Sequence, residues 1–542
     1  MKIITGKALY IFSLLINLYL VVLFFGNVKH GFPEMYYKSD CLYLPSLYRD
    51  LIVEHNSLNG WTLNPSPNFL PEWPVYFLFN FLSGDLRIAS FLYALFNFFG
   101  ISLLIAMVYK AAFQRISWLY LAFVNFAMSA YLFLYLVDGE YILSGLIFLS
   151  AFHNGVFINS LFCIWLFLVY LTREKNYWFP GILFILSLLS TLSDKLFVVF
   201  FTLPLVSALF LWKERSIRPK MILSICCTIA GTVAGLLAYG ILEGNTRISF
   251  TQASVRMFDF EKIPGSFSFF IFQMWNYITS GGFRAAIILV SAAALLVAII
   301  ITARIIISNK SILPLQAKTG MILLTSFIIL VILSPIVNGS YFAMVLIRYN
   351  IHAFYLALTL PAVFFHFFSE RWKPAQIIFL ILAILIASSQ LVFALRYQNP
   401  KKGFEKLSGM LEYYPENIAR LDSLANMYGL RNGISEYWYA KPATLLSEKG
   451  LKVRHVYNDL LIYNHVSNRN WYIGEPDSNG VPSPLFNFII VGNSIDSSVI
   501  RKHFGQAIDT IYSNGPVILK VPDFYYSSST KNPVVRTNDS IH

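Results

Sequence analysis

The chain has 542 residues, of which 57% are hydrophobic, 17% aromatic and 13% charged, and its formal net charge is +13. Soluble globular domains are about 45–50% apolar and about 25% charged, so this composition predicts a polytopic membrane protein. The positive charge does not indicate nucleic-acid binding, because lysines and arginines collect in short loops between apolar runs and no arginine-rich arm is visible. The four scattered cysteines contain no CxxC pair, so neither a disulfide framework nor zinc or redox chemistry is indicated.

The N-terminus has the pattern of a signal anchor. Lys2 and Lys7 precede an apolar run of about 18–20 residues, which is long enough to span a bilayer. Because no small-x-small cleavage site follows the run, we expect it to remain as an uncleaved anchor.

Residues 27–85 form a polar, aromatic-rich segment that we interpret as the first outer loop. A carboxylate at the membrane surface is costly unless it has a function, and this loop holds several. They are Glu34, Asp40, Asp50, Glu54 and Glu72. Leucines at helical spacing predict an amphipathic helix on the membrane surface from Asp40 to Glu54, with Asp50 among its surface residues. A proline-rich passage and another apolar helix follow, which is typical of a rigid cover over a membrane-level cavity.

Eleven apolar runs have the length of a membrane span. They lie at about 8–26, 86–109, 116–137, 155–171, 178–193, 196–212, 220–242, 283–305, 319–337, 350–369 and 375–395. The stretch 141–152 is too short to cross alone and is interpreted as a re-entrant segment or half-helix. The basic loops all fall on one side, which the positive-inside rule assigns to the cytoplasm. The N-terminus is then cytoplasmic, and everything after residue 396 is extracytoplasmic.

The tail, residues 397–542, has the pattern of a small α/β domain. LFNFIIVGN predicts a buried strand, SSVIRKHFGQ a short helix, and DTIYSNGPVILKVP a hairpin with an Asn-Gly turn. The aromatic stretch at 429–447 suits a sugar-binding patch, but Trp438 is better interpreted as a core residue. Residues 527–542 are predicted to be disordered.

Several short motifs in residues 1–396 suggest a family. An acidic residue and an amphipathic helix follow the first span, then PEWPVY at 71–76, then Gly84, Asp85 and Arg87 at the entry to the second span. This layout resembles the GT-C superfamily of integral-membrane glycosyltransferases, especially its bacterial branch near the lipid A aminoarabinose transferases and protein O-mannosyltransferases. The resemblance implies a GT-C-like transmembrane domain over residues 1–396. It also implies inverting transfer of a sugar from a polyprenyl-phosphate donor to an extracytoplasmic glycan, lipid or protein, at a bacterial-type inner membrane.

The resemblance also implies roles for particular residues. In the family an acidic motif opening the first outer loop supplies the catalytic carboxylate, and the matching position here is Asp40; Cys41 stands where relatives often carry a second acidic residue. Glu72 is the secondary acidic candidate. The implied donor-phosphate ligands are Arg348, Lys195 and Arg87. The remaining outer-face candidates are His153, Asp194 and Tyr349.

The chemistry of such a transfer fits these residue types. One carboxylate can accept the proton of the acceptor hydroxyl, and an arginine suits the negative charge that develops on the leaving phosphate. No metal-ligand cluster is legible, so a divalent cation is compatible with the reaction but not required, and no other cofactor is indicated.

Each candidate also has a purely structural interpretation. Asp40 could cap the helix that begins there, Glu72 could face water, and Arg348 and Arg87 could anchor span ends at the headgroups. Asp194 and Lys195 could form a local ion pair, and His153 could be a turn residue.

Three other functions remain open at this point. A transporter or flippase of lipid-linked saccharides would need charged residues along a path through several spans. An oligosaccharide polymerase or ligase would also act outside, using several arginines in later loops. A structural or assembly protein would act through the tail domain. Membrane lipids are partners in every case, and nucleic acid in none.

Overall fold

The computed structural model describes most of the chain in thirteen stretches. These are residues 2–26, 32–114, 116–138, 141–172, 178–211, 218–245, 247–251, 259–307, 313–372, 374–397, 407–473, 484–527 and 529–536. The chain divides into two compact units. The first comprises residues 1–32, 68–240 and 253–411, and the second comprises residues 33–67, 241–252 and 412–542.

The first unit is helical and membrane-spanning in character. Within the described residues, eight helices are long and apolar enough to cross a membrane: Gly6–Phe25, Leu86–Ala112, Trp118–Val137, Asn154–Thr172, Arg218–Glu243, Gly282–Ile307, Leu315–Val337 and Ile351–Ser369. Three shorter apolar helices lie at Trp178–Ser193, Val198–Leu211 and Gln376–Val392. The chain is therefore a polytopic helical membrane protein, and each predicted run coincides with one of these helices.

The individual helices are bounded as follows. They run over Lys2–Gly26, Phe32–Tyr36, Glu72–Ser83, Leu86–Ala112, Trp118–Asp138, Tyr141–Gly145, Asn154–Thr172, Trp178–Ser193, Leu203–Leu211, Arg218–Glu243, Ile263–Thr279, Gly282–Ile307, Leu315–Val337, Ile351–Thr359, Pro361–Arg371 and Pro374–Tyr397. A π-helical turn lies at Val198–Thr202, and 3-10 turns lie at Leu146–Phe148, Phe260–Lys262 and Met344–Tyr349. The stretch 141–152 thus holds one short helix and one 3-10 turn.

The helix Ile263–Thr279 lies between the predicted spans 220–242 and 283–305, where no span is predicted. Its buried face is polar, with Ser266, Gln273 and Tyr277, while Phe272 and Trp275 on its other face are exposed. Gln273 donates to the Tyr277 hydroxyl (2.9 Å) and accepts from the Tyr341 hydroxyl (2.6 Å). A helix that is polar inside and apolar outside matches a lipid environment. Polar residues interrupt its sequence at the positions that face inward, so it does not form a continuous apolar run.

Polar side chains join the spans to one another. Asn17 Nδ2 donates to the Asn125 carbonyl at 2.8 Å, and Asn125 Nδ2 donates to Ser13 Oγ at 2.8 Å. Such hydrogen bonds between helices help association where the hydrophobic effect cannot. At Gly231 an added Cβ would lie 2.3 Å from the Phe184 carbonyl oxygen. The helix Arg218–Glu243 therefore approaches the helix Trp178–Ser193 more closely than a side chain at this position would allow.

The second unit is a mixed α/β structure. Its strands are β1 Trp61–Leu63, β2 Ser249–Phe250, β3 Asn432–Ser435, β4 Lys452–His455, β5 Ser467–Asn468, β6 Phe486–Val491, β7 Asp509–Tyr512, β8 Val517–Tyr526 and β9 Pro533–Val535. The larger sheet has the order β4-β3-β6-β8-β7, with β9 beside β8. Strand β3 is parallel to β4 and β6, and β8 is antiparallel to β6, β7 and β9. The predicted strand, helix and hairpin of the tail are confirmed, the helix being Ser497–Phe504.

The remaining elements of the second unit come from both ends of the sequence. Helices lie at Tyr43–Tyr48, Glu416–Tyr428 and Tyr437–Leu446, and a π-helical turn at Arg49–Val53 continues the first of these. A small sheet of order β2-β1-β5 joins strands that are distant in sequence. The loop 27–85 is therefore divided, since residues 33–67 belong to this unit and residues 68–85 to the first.

Three expectations for the second unit are wrong. The helix predicted on the membrane surface has Leu44 and Leu47 fully buried, and Asp50 is only 2% exposed. Trp438 is 52% exposed and so is not a core residue. Part of the end predicted to be disordered forms β9, paired with β8; residues 528 and 537–542 lie outside the described stretches.

Candidate active site

Glu72 is the first residue of the helix Glu72–Ser83 and is 1% exposed. The segment leading to it is fixed to a neighbouring turn: Leu70 N donates to Ser193 Oγ at 2.7 Å, and Asn159 Nδ2 donates to the Leu70 carbonyl at 3.0 Å. An added Cβ at Gly155 would lie 2.2 Å from the Glu72 carboxylate, so a larger residue there would displace this carboxylate. The sequence thus places a carboxylate against the first turn of the helix Asn154–Thr172.

Two strained residues precede that helix. Ala151 and His153 have φ of 61° and 65°. Positive φ costs about 1–3 kcal/mol at a non-glycine residue and concentrates at functional sites. The turn aims the His153 ring at Asp194, whose Oδ2 lies 2.6 Å from His153 Nδ1. Asp194 is 3% exposed, and its Oδ1 also accepts from Leu196 N at 3.0 Å.

The 3-10 turn Met344–Tyr349 brings an aromatic ring and a cation to His153. The rings of His153 and Tyr349 are 5.2 Å apart between centroids. The Arg348 guanidinium lies over the Tyr349 ring at 5.2 Å and donates weakly to its hydroxyl at 3.4 Å. Arg348 Nε is buried with no hydrogen-bond partner, and no carboxylate among the described residues pairs with this guanidinium. A partly buried arginine without a counter-ion suits an anionic ligand.

The electrostatics at Glu72 favour its protonated form. Burial raises the pKa of the Glu72 carboxyl well above its usual value, and the nearby Asp194 carboxylate raises it further, while hydrogen bonding to the backbone at Glu72 and Gly155 opposes the shift. Glu72 Oε2 has no hydrogen-bond partner. A protonated carboxyl in this position can donate a hydrogen bond to a ligand.

The structure therefore gathers five of the eight candidates within the first unit. They are Glu72, His153, Asp194, Arg348 and Tyr349. Lys195 instead places its Nζ 3.5 Å from the centroid of the Tyr239 ring. Arg87 forms a 3.5 Å ion pair with Asp85, which also caps the helix that begins at Leu86.

Two neighbours of this group, Asn154 and His352, are not among the predicted site residues. Asn154 is 2% exposed, and its Oδ1 accepts a hydrogen bond from His352 Nε2 at 3.1 Å in the buried interior. His352 is fully buried, and its Nδ1 has no hydrogen-bond partner. A histidine in the first turn of an apolar span was the available signal. Among the described residues, no group of three or more His, Cys, Asp or Glu is placed to hold a metal ion.

No protein-family model, curated protein or solved structure matches this chain. The resemblance to GT-C enzymes therefore stays a prediction.

Asp40 lies in the second unit, in a different polar group. Its Oδ1 accepts from the Tyr437 hydroxyl at 2.7 Å, and Ser39 Oγ donates to the Tyr437 carbonyl at 2.6 Å. The N-cap of the following helix is Leu42, so Asp40 is not a helix cap. Lys441 is 3% exposed, and its Nζ lies 5.0 Å from the centroid of the Tyr437 ring without a hydrogen-bond partner. Burial lowers the pKa of Lys441 to about 7, against the opposing effect of Asp40.

Proposed function

We propose that this chain is a membrane glycosyltransferase that moves a sugar from a polyprenyl-phosphate donor to an acceptor, with inversion at the anomeric carbon. The supporting observation is the contact series His153–Tyr349–Arg348, which puts a carboxylate-bound imidazole and an unpaired guanidinium in one group. Eleven spans, an active site on the extracytoplasmic face and a bacterial-type inner membrane complete the proposal.

The imidazole has the orientation that a general base needs. If His153 Nδ1–H donates to the Asp194 carboxylate, Nε2 is left as the proton acceptor. The acceptor hydroxyl then loses its proton to Nε2 while its oxygen bonds to the anomeric carbon. The bond from that carbon to the phosphate oxygen breaks, and the phosphate leaves with the electron pair.

The leaving phosphate gains negative charge, which a fixed arginine stabilises more in the transition state than in the ground state. Arg348 can take this role because it lies in one group with His153 and Tyr349. Glu72, held protonated by its burial, would donate to a hydroxyl of the bound sugar. The resemblance instead assigns the base to Asp40, and the two predictions for the base can be separated by mutation.

The test uses full-length protein in nanodiscs with synthetic polyprenyl-phosphate sugars. We expect Arg348→Lys to lower kcat by about 10²–10³-fold, since lysine keeps the charge but loses the fork. Asp194→Asn should lower it by about 10²–10⁴-fold if His153 is the base. Arg501→Lys, at an exposed arginine of the second unit, is the matched control and should leave kcat unchanged.

The outcomes separate the alternatives. If Asp40→Asn abolishes turnover while Asp194→Asn does not, the base is Asp40. If Arg348→Lys behaves like Arg501→Lys, the proposed phosphate site is wrong. A flippase would move the donor across the bilayer and leave its sugar–phosphate bond intact.

A further inference from the structure

The second unit carries a continuous series of aromatic rings beside Asp40. Ring centroids are 5.0 Å apart for Trp438 and Tyr437, and 4.9 Å apart for Tyr437 and His465. His465 then stacks on Tyr463 at 5.2 Å with an interplanar angle of 13°, and Tyr463 meets Tyr457 at 4.4 Å. The first and last rings of the series are open to solvent.

The two end rings of this series are about half exposed. Trp438 is 52% exposed and Tyr457 is 50% exposed, although the rings between them are partly or fully buried. Aromatic side chains that are exposed on one side and packed against the protein on the other are common at binding surfaces.

Asp40 supplies a polar group at the same place. It is half-buried, its Oδ1 accepts from the Tyr437 hydroxyl, and among the described residues its Oδ2 has no hydrogen-bond partner. The buried Lys441 lies over the Tyr437 ring with its Nζ unpartnered. Two polar groups with unused hydrogen-bonding capacity therefore border the aromatic series.

We infer that this surface, formed by Trp438, Tyr457, Tyr463, His465 and Asp40, binds a saccharide. A pyranose ring has an apolar face of C–H groups, which an aromatic ring covers, and hydroxyl groups, which a carboxylate accepts. Binding sites for small polar molecules combine aromatic walls with a few placed polar groups in this way. Binding of a saccharide at this surface does not depend on the proposed function. Only the identification of that saccharide as the acceptor rests on it.

The other occupant that tryptophan and tyrosine suit in a membrane protein is the lipid headgroup region. The neighbourhood favours the saccharide. Asp40 would repel a phosphate, and Asn458 and Asp459, which follow Tyr457, are exposed as well. No exposed lysine or arginine belongs to the series, whereas headgroup contacts usually include one.

The test measures binding without any donor, so its result does not depend on turnover. Full-length protein in nanodiscs is mixed with methyl pyranosides of gluco, galacto and manno configuration, and saturation-transfer NMR reports the bound sugar. We expect transfer to at least one of them. Trp438→Ala and Asp40→Asn should each weaken binding by about tenfold or more. Trp178→Ala is the matched control, since that indole is 81% exposed in the first unit, and it should bind as wild type does.

Tyr457→Ala provides a second variant at the far end of the series, and an unchanged unfolding midpoint shows that each variant is folded. The inference is overturned if no sugar receives saturation, or if Trp438→Ala binds as Trp178→Ala does. It is also overturned if brominated lipids in the nanodisc quench the fluorescence that Trp438 contributes, because that indole would then lie in the bilayer. If binding is lost in these variants while wild-type protein transfers no sugar, the surface stands and the proposed function fails.

Discussion

Asp50 offers the sharpest prediction about the fold of the second unit. Its Oδ2 accepts from Trp61 Nε1 at 2.6 Å and from Asn468 Nδ2 at 3.0 Å. Its Oδ1 accepts from Trp471 Nε1 at 2.5 Å and from Asn56 Nδ2 at 2.8 Å. The carboxylate therefore holds together parts of the chain more than 400 positions apart, since the separations to Trp471 and Asn468 are 421 and 418.

Asp50→Asn keeps the shape of the side chain and replaces one oxygen by an NH₂ group. Whichever way the amide turns, that group faces two N–H donors, so two of the four hydrogen bonds are lost. A hydrogen bond to a charged group contributes about 1.5–3 kcal/mol, so we expect the free energy of unfolding of this unit to fall by about 3–6 kcal/mol. The amide can turn its NH₂ toward Trp471 and Asn56, and because Asn56 is exposed only one buried donor is then left unsatisfied, so the lower half of this range is the better expectation.

The assay is denaturant unfolding of the full-length protein followed by tryptophan fluorescence, because Trp61 and Trp471 both contact Asp50. Asp523→Asn is the control, since Asp523 is exposed, and its free energy of unfolding should stay within about 0.5 kcal/mol of the wild-type value. If Asp50→Asn and Asp523→Asn unfold at the same midpoint, Asp50 does not hold residues 33–67 in this unit, and a surface helix becomes the better interpretation.

Two further predictions concern buried contacts. Gly155→Ala should destabilise the first unit by about 1–3 kcal/mol and lower transfer activity, because its Cβ would meet the Glu72 carboxylate at 2.2 Å, whereas Gly181→Ala, whose Cβ meets nothing within 4 Å, should not; equal thermal midpoints for the two variants would contradict the packing at Glu72. Lys441 has its pKa lowered to about 7 in the folded protein, so above pH 7 the unfolded chain binds more protons and stability should rise with pH, with a slope that approaches about 1.4 kcal/mol per unit between pH 8 and 9. Lys441→Met should remove that slope, and an unchanged slope in denaturant titrations at several pH values would show that another group causes it.

The membrane-spanning helices could be predicted from sequence because each is a long apolar run with few charges, and length alone decides most of them. The helix Ile263–Thr279 could not, because its buried face is polar and its exposed face apolar, the reverse of the soluble pattern. The burial of Asp50 was also hidden, since its indole partners lie 11 and 421 positions away and no local pattern pairs them.

The sequence could indicate the residues of the candidate site one at a time, but it could not predict their grouping. Glu72, His153, Asp194, Arg348 and Tyr349 each stood out as polar groups near span ends, yet nothing in the sequence shows that the first unit brings them together. Their grouping depends on the glycine at 155 and on the left-handed turn at 151–153, which are features of the packed backbone. The prediction that Trp438 lies in the core is wrong. A large aromatic residue next to an apolar stretch usually lies in a core, but this one is exposed.

The most direct measurement of the proposed function is the fate of the donor. Purified wild-type protein is incubated with a polyprenyl-phosphate sugar and an excess of a saccharide acceptor, and NMR follows the phosphate and the anomeric centre. We predict release of polyprenyl phosphate together with a glycoside of inverted anomeric configuration. A donor that stays intact, or a product that retains the donor's configuration, would contradict the proposed transfer.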